Sequence, residues 1–234
     1  MLINWNDQSQ KLGIPTRKNE LWRYSQVKDF IETDKKLSPE IIAKPTLPAN
    51  LNGDMIYFNG SEWISSSKNI TFSNNELTTD MLPVAKEIRD LDGMYAWYKK
   101  QTANYSLRVT NSANKIVICI PHTKQQLLLP ELTIHLDQND DDCSLYEVQT
   151  SDLENPATTM YSIKIVNKNK NLTLHRFSFN PNAKSVSWLN INNSKNLNAY
   201  VWKQQNSQSK EFITVDNVDH GANVRLSLIA NLSQ

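Results

Sequence analysis

The chain of 234 residues carries only 5 glycines, about a third of what ordinary usage of ~7% would supply. Gly-rich phosphate loops are thereby excluded, and another residue type must make the tight turns. Cysteine is scarcer still. Cys119 and Cys143 are too few for a disulfide-stapled scaffold, and no four-ligand zinc spacing can be assembled around them, so a reduced, cytoplasmic protein is expected. Long apolar runs are missing as well. The longest, such as Ile116 to Pro121, fall far short of a bilayer span, and Met1 to Gln10 has no basic head followed by an apolar stretch, so neither membrane insertion nor export is expected. Nor is either charge in excess. With 25 Lys and Arg against 24 Asp and Glu the net charge is +1, which provides no overall field for nucleic acid or an anionic membrane.

Asparagine, with 28 residues, is the abundant turn former. Hydrophobic residues make up 39% of the chain, enough for one sizeable core. Residues 1–105 read as a small α/β region. From Ser25 to Ile31, Val27, Phe30 and Ile31 recur at helical spacing, and Pro45 and Pro48 mark a linker. Met55 to Phe58, Asn59-Gly60 and Glu62 to Ile64 form a hairpin signal. Leu82 to Asn104 reads as a helix carrying Ile88, Leu91, Tyr95, Trp97 and Tyr98, with Gly93 as its weak point. Residues 106–234 hold almost only strand-length runs separated by Asn, Asp, Ser and Lys.

Those runs repeat as strand, turn, strand. The four copies are Leu132 to Asp137 with Cys143 to Val148, Ser162 to Val166 with Leu172 to Phe177, Ser187 to Ile191 with Leu197 to Trp202, and Phe212 to Asp216 with Val224 to Ala230. Aligning Ile134, Ile163, Leu189 and Ile213 gives steps of 29, 26 and 24 residues, a period that signals a solenoid. One unit cannot bury its inward face alone, whereas stacked coils cover one another and leave the Asn-rich turns outside. The expected fold is therefore mainly β: the small α/β region followed by a short β-helix of about four coils. A β-sandwich of the same eight strands is the alternative.

One segment is a fingerprint: Gly13-Ile14-Pro15-Thr16-Arg17-Lys18-Asn19-Glu20-Leu21-Trp22-Arg23-Tyr24. It resembles the P-T-R-K-x-E-x-W-[RK]-Y signature of the SufD branch of the SufB/SufD family, scaffold subunits of SUF-type iron-sulfur cluster assembly. The hairpin, the helix near Tyr95 and the Leu132 to Val148 coil follow in the family's order, so the resemblance runs from about Leu12 to the end. It implies a right-handed parallel β-helix, a non-catalytic scaffold role and a SufB-like partner. Relatives carry further coils and a C-terminal helical segment that contacts the ATPase subunit SufC. Ending at Gln234, this sequence reads as a shortened or degenerate member, which argues against ordinary SufC binding. On the residues alone, Pro15 sets a bend, Thr16 caps a helix start above Glu20, and Trp22 and Tyr24 dock the segment while Arg17, Lys18 and Arg23 stay in solvent.

No catalytic, metal or cofactor-binding residue is assigned. Cys119 reads as a buried small hydrophobe. Cys143 lies beside Asp140, Asp141 and Asp142, whose charge disfavours a thiolate. His122, His135, His175 and His220 form no short-range ligand motif, and His220 is not equated with the late-coil histidine of SufD. No nucleophile, base or oxyanion set emerges. Two other readings remain open. A carbohydrate-binding or carbohydrate-active β-helix would use Asp137 and Asp140 to Asp142 as acids, or Trp188, Tyr200 and Trp202 as a stacking platform. A nucleic-acid module would use the patch from Arg17 to Tyr24, against which the near-zero net charge argues. Finally, a solenoid ending on its fourth coil exposes Leu226, Leu228 and Ile229, so self-association or pairing with a SufB-like subunit is expected at that end.

Overall fold

The computed structural model describes residues 5–16, 18–19, 22–23, 42–47, 49–65, 67–68, 70–73, 92–101, 106–109, 115–122, 127–136, 142–151, 158–167, 171–178, 184–193, 195–203, 208–217 and 222–230. The helix expected over 25–31 lies outside them, as do Arg17, Tyr24, Asp137, Asp140, Asp141 and His220. Two helices are described, α1 (Trp5–Leu12) and α2 (Gly93–Gln101). The early strands are β1 (Asp54–Phe58), β2 (Trp63–Ser65), β3 (Ile70–Ser73), β4 (Ser106–Val109), β5 (Lys115–His122) and β6 (Leu127–Leu128). The later ones are β7 (Glu131–Leu136), β8 (Cys143–Ser151), β9 (Thr158–Asn167), β10 (Leu172–Ser178), β11 (Lys184–Asn193), β12 (Leu197–Lys203), β13 (Gln208–Asn217) and β14 (Val224–Ala230).

These strands build two open seven-stranded sheets, mainly parallel. Sheet I runs β14-β12-β10-β8-β5-β1-β2, and sheet II runs β13-β11-β9-β7-β4-β3, with β6 paired to β9 off that path. From β7 onward the chain alternates between the sheets, and from β9 onward each strand lies parallel to the one two places earlier. A sandwich of hairpin-linked antiparallel strands would pair these eight differently.

Alternation explains the core. On sheet I, Ile116, Leu145, Leu174 and Ala199 occupy one inward register line; on sheet II, Leu132, Ile163 and Leu189 do the same, and all are buried. The repeat alignment needs one correction. Ile163, Leu189 and Ile213 do share a line, but Leu132 rather than Ile134 stands opposite Ile163. Both residues face inward, so a slip of two preserves the pattern and escapes a reading based on parity. An earlier rung also precedes the first copy: β4 pairs in parallel with β7 and β5 with β8.

Asparagine fills the turns as expected. Asn171 donates from Nδ2 to Asp142 at 2.8 Å and Asn196 to Asn171 at 3.2 Å, while the carbonyls of Asn171, Asn196 and Asn223 accept from the first amide of the preceding strand in sheet I. A second ladder links Asn167 to Asn193 at 2.7 Å. The side-chain amides thus tie the ends of neighbouring parallel strands together where the chain changes sheet.

The hairpin is present, with β1 and β2 antiparallel around residues 59–62; Asn59 Oδ1 accepts from the amides of Ser61 and Glu62, and Gly60 takes φ 102°. Its strands join sheet I, since β1 is also parallel to β5. Gly93 is not the weak point of its helix. It is the first residue of α2, where a Cβ would collide with the carbonyl oxygen of Gly13, so glycine permits α1 and α2 to pack.

Candidate functional site

The two sheets finish differently at their two ends. At the end built from β1 to β4, antiparallel strands β2 and β3 cap the parallel stacks, and Phe58, Trp63 and Ile70 are buried in the core there. At the other end the outermost strands are β13 and β14, which, like β2 and β3, have one neighbour each among the described strands. The inward residues of β14, Val224, Leu226 and Leu228, stand in register with buried Leu197, Ala199 and Val201, yet are 38%, 56% and 69% exposed. On β13, Ile213 and Val215 are only partly buried. Among the described residues, core-type side chains and a strand edge without a ladder partner thus face outward together at this end.

Behind this end lies a charged cluster inside the stack. Glu147 and Arg176 sit on adjacent rungs of sheet I, at the same inward parity as Leu145 and Leu174. Arg176 grips Glu147 through two hydrogen bonds of 2.8 Å and donates to Tyr161 Oη at 3.0 Å and Ser187 Oγ at 3.1 Å. Tyr161 in turn donates to Glu147. Burial alone would lower the Arg176 pKa, but Glu147, Tyr161 and Glu211 hold the guanidinium charged, well above its ordinary value. Burial, followed by the Glu147 charge, keeps Tyr161 protonated. Glu211, on the outermost strand of sheet II, lies 3.5 Å from Arg176 and carries the cluster to the open end. The interior charges of a buried network this tight require every partner.

Outside sheet II, the fingerprint segment docks through Trp22. Thr16 does not begin a regular helix; its backbone and hydroxyl form a turn with Asn19, and the amide of Trp22 donates to the Asn19 carbonyl at 2.9 Å. Trp22 is fully buried while Lys18 and Arg23 are exposed. Its indole N–H donates to Asp92 Oδ1 at 2.9 Å, and Trp188 donates to Asp92 Oδ2 at 3.0 Å. Asp92 also caps α2, accepting from the Met94 amide. Burial raises the Asp92 pKa, and these donors oppose the rise. Lys210 of β13 lies 4.7 Å from the Trp22 ring; burial lowers its pKa, against the pull of Asp92.

The remaining candidates are dispersed. Trp188 is buried on sheet II, whereas Tyr200 and Trp202 share β12 on sheet I, so the three aromatics form no common platform. Their ladder is self-stacked: Tyr146, His175 and Tyr200 follow one another at 4.8 and 5.2 Å, and Phe177 faces Trp202 at 6.1 Å. Each ring of the ladder faces a neighbour along the sheet, and Trp202 remains 38% exposed. Burial lowers the His175 pKa. His135 and His175 belong to opposite sheets and do not meet. Cys119 is buried among Met55, Val117 and Val148, and burial pushes its thiol up to about 12. Cys143 is buried and in no disulfide, and Asp142 is exposed in the Asn ladder. Among the described residues no group of three or more His, Cys, Asp or Glu could hold a metal, and no helix is long and apolar enough to cross a membrane. The Glu147–Arg176 pair was missed in the sequence, although charged residues at inward positions one rung apart are its signal.

No protein-family model, curated protein or solved structure matches the chain.

Proposed function

We propose that this chain is a β-solenoid scaffold of the SufD type, a non-catalytic, cytoplasmic interaction subunit of iron-sulfur cluster assembly that docks its partner end-on through β13 and β14. The observation that carries the docking role is the exposed row Val224, Leu226 and Leu228, continuous in register with the buried row Leu197, Ala199 and Val201. Covering such a row removes apolar surface from water at roughly 25 cal/mol per Å², and a facing strand would satisfy the free edge. The rung repeat and the burial of the fingerprint's Trp22 support the family reading. A SufB-like subunit or a second copy of the chain is the occupant.

Co-expression with SufB-type and SufC-type subunits tests this. The expected result is a stable complex with the SufB-type subunit, or a self-associated species without it, that is lost in Leu226→Asp/Leu228→Asp. A clean monomer at high concentration that captures neither subunit contradicts the proposal.

A further inference from the structure

Sheet II ends on β13, an edge strand held by a single ladder, to β11. Its two faces meet different surroundings. Glu211, Ile213 and Val215 face the interior near the open end, whereas Lys210 and Phe212 point to the outside, where they meet residues distant in sequence. Phe212 stacks on Trp188 at 6.1 Å with 7° between the planes, and Trp22 lies against Phe212 at 5.9 Å. Lys210 Nζ lies 4.7 Å from the Trp22 ring and 5.6 Å from that of Phe212. Trp22 and Trp188 are also tied together through the two oxygens of Asp92. The outermost strand of sheet II is therefore braced from outside by the turn that carries Trp22. The edge strand of sheet I has no matching brace among the described residues: Arg225 is exposed and Ser227 is only partly buried.

We propose that the Trp22 turn is a clasp on β13, fixing the strand in the geometry that an end-on partner meets, so that clasp docking and partner docking strengthen one another. The coupling rests on the reading of the open end as a docking surface; the clasp does not. Two events that favour the same arrangement of one strand are coupled reciprocally, typically by about 5- to 150-fold in affinity. The device makes the N-terminal segment a regulator of the far end of the stack. Anything that lifts Trp22 from Asp92 releases the strand that contacts the partner.

Hydrogen exchange on the full chain, read by mass spectrometry, tests the clasp directly. Trp22→Ala is expected to speed exchange in peptides covering β13 by about tenfold or more, with β5 and β8 unchanged, and to weaken association at the open end at least about fivefold. Trp22→Phe keeps the ring against Phe212 and Lys210 but loses the donor to Asp92, so a smaller shift confined to the same peptides is expected; it carries the test if Trp22→Ala does not fold. Unchanged exchange in β13 overturns the clasp and leaves end-on docking standing. Equal loss of protection in β5, β8 and β13 makes Trp22 an ordinary core residue and also overturns it. Selective loosening of β13 in a protein whose wild type never associates overturns the coupling and the docking reading, and leaves only the clasp.

Discussion

The two ends of the stacked sheets use the same side-chain alternation and reach opposite outcomes. At one end, Phe58 and Trp63 of the hairpin close the interior, their rings 5.4 Å apart and tilted by 60°, and the Trp63 indole donates to the Glu131 carbonyl at 2.8 Å. At the other, Leu226 and Leu228 continue the inward pattern of Ala199 and Val201 yet are 56% and 69% exposed. Alternation decides which face of a strand is apolar. Whether that face is buried depends on the next rung, and an antiparallel cap supplies one where the parallel stack stops.

The largest effect should come from the charged cluster, which separates interior from open end. Arg176→Met leaves Glu147 buried without its bidentate partner, and a loss of ~3–5 kcal/mol in urea unfolding is expected. A loss below ~1 kcal/mol would mean that the cluster is not sealed from water. Next comes a matched pair of truncations. Trp63→Ala at the capped end should cost ~3–5 kcal/mol, whereas Leu228→Ala at the open end should cost less than ~1 kcal/mol in the dissociated protein. Similar costs at both ends would erase the distinction drawn between them. A smaller effect is expected from Asn196→Ala, which removes ladder bonds at the rim; about 1 kcal/mol is anticipated, read as a shift in the urea midpoint.

Asp92 offers the mildest perturbation, through pH. Its pKa is raised in the folded chain, chiefly by burial. The folded state therefore holds this proton more tightly than the unfolded chain, and the stabilisation it contributes is complete below the unfolded value and lost as pH rises through the folded value. Against Asp92→Asn, which does not titrate, the wild type should lose relative stability as pH increases over that window. Unfolding curves measured on both proteins from acid to neutral pH would show the opposite trend if donors outweighed burial.

Much of the strand pattern was legible because each strand from Leu132 onward alternates and each turn is rich in asparagine. The register of the first rung was not, since Leu132 and Ile134 are equally good inward residues. The short strand β4 gave too few residues to establish a period, so the rung before Leu132 went unseen. The docking of Trp22 was readable as an aromatic anchor, but its acceptor was hidden: Asp92 meets Trp22 and Trp188 across long stretches of chain, and no local pattern brings them together. For the open end, the sequence named Leu226, Leu228 and Ile229 as exposed; Leu226 and Leu228 are so in the structure, and the side chain of Ile229 lies outside those described.

Sedimentation velocity on the wild type and on Leu226→Asp/Leu228→Asp, each alone and mixed with a SufB-type subunit, tests the docking end most directly. The expected result is a concentration-dependent larger species, or a complex with that subunit, for the wild type, and a folded monomer for the variant under every condition. A wild type that stays monomeric throughout, or a variant that associates as the wild type does, would contradict the assignment of β13 and β14 as the interaction surface.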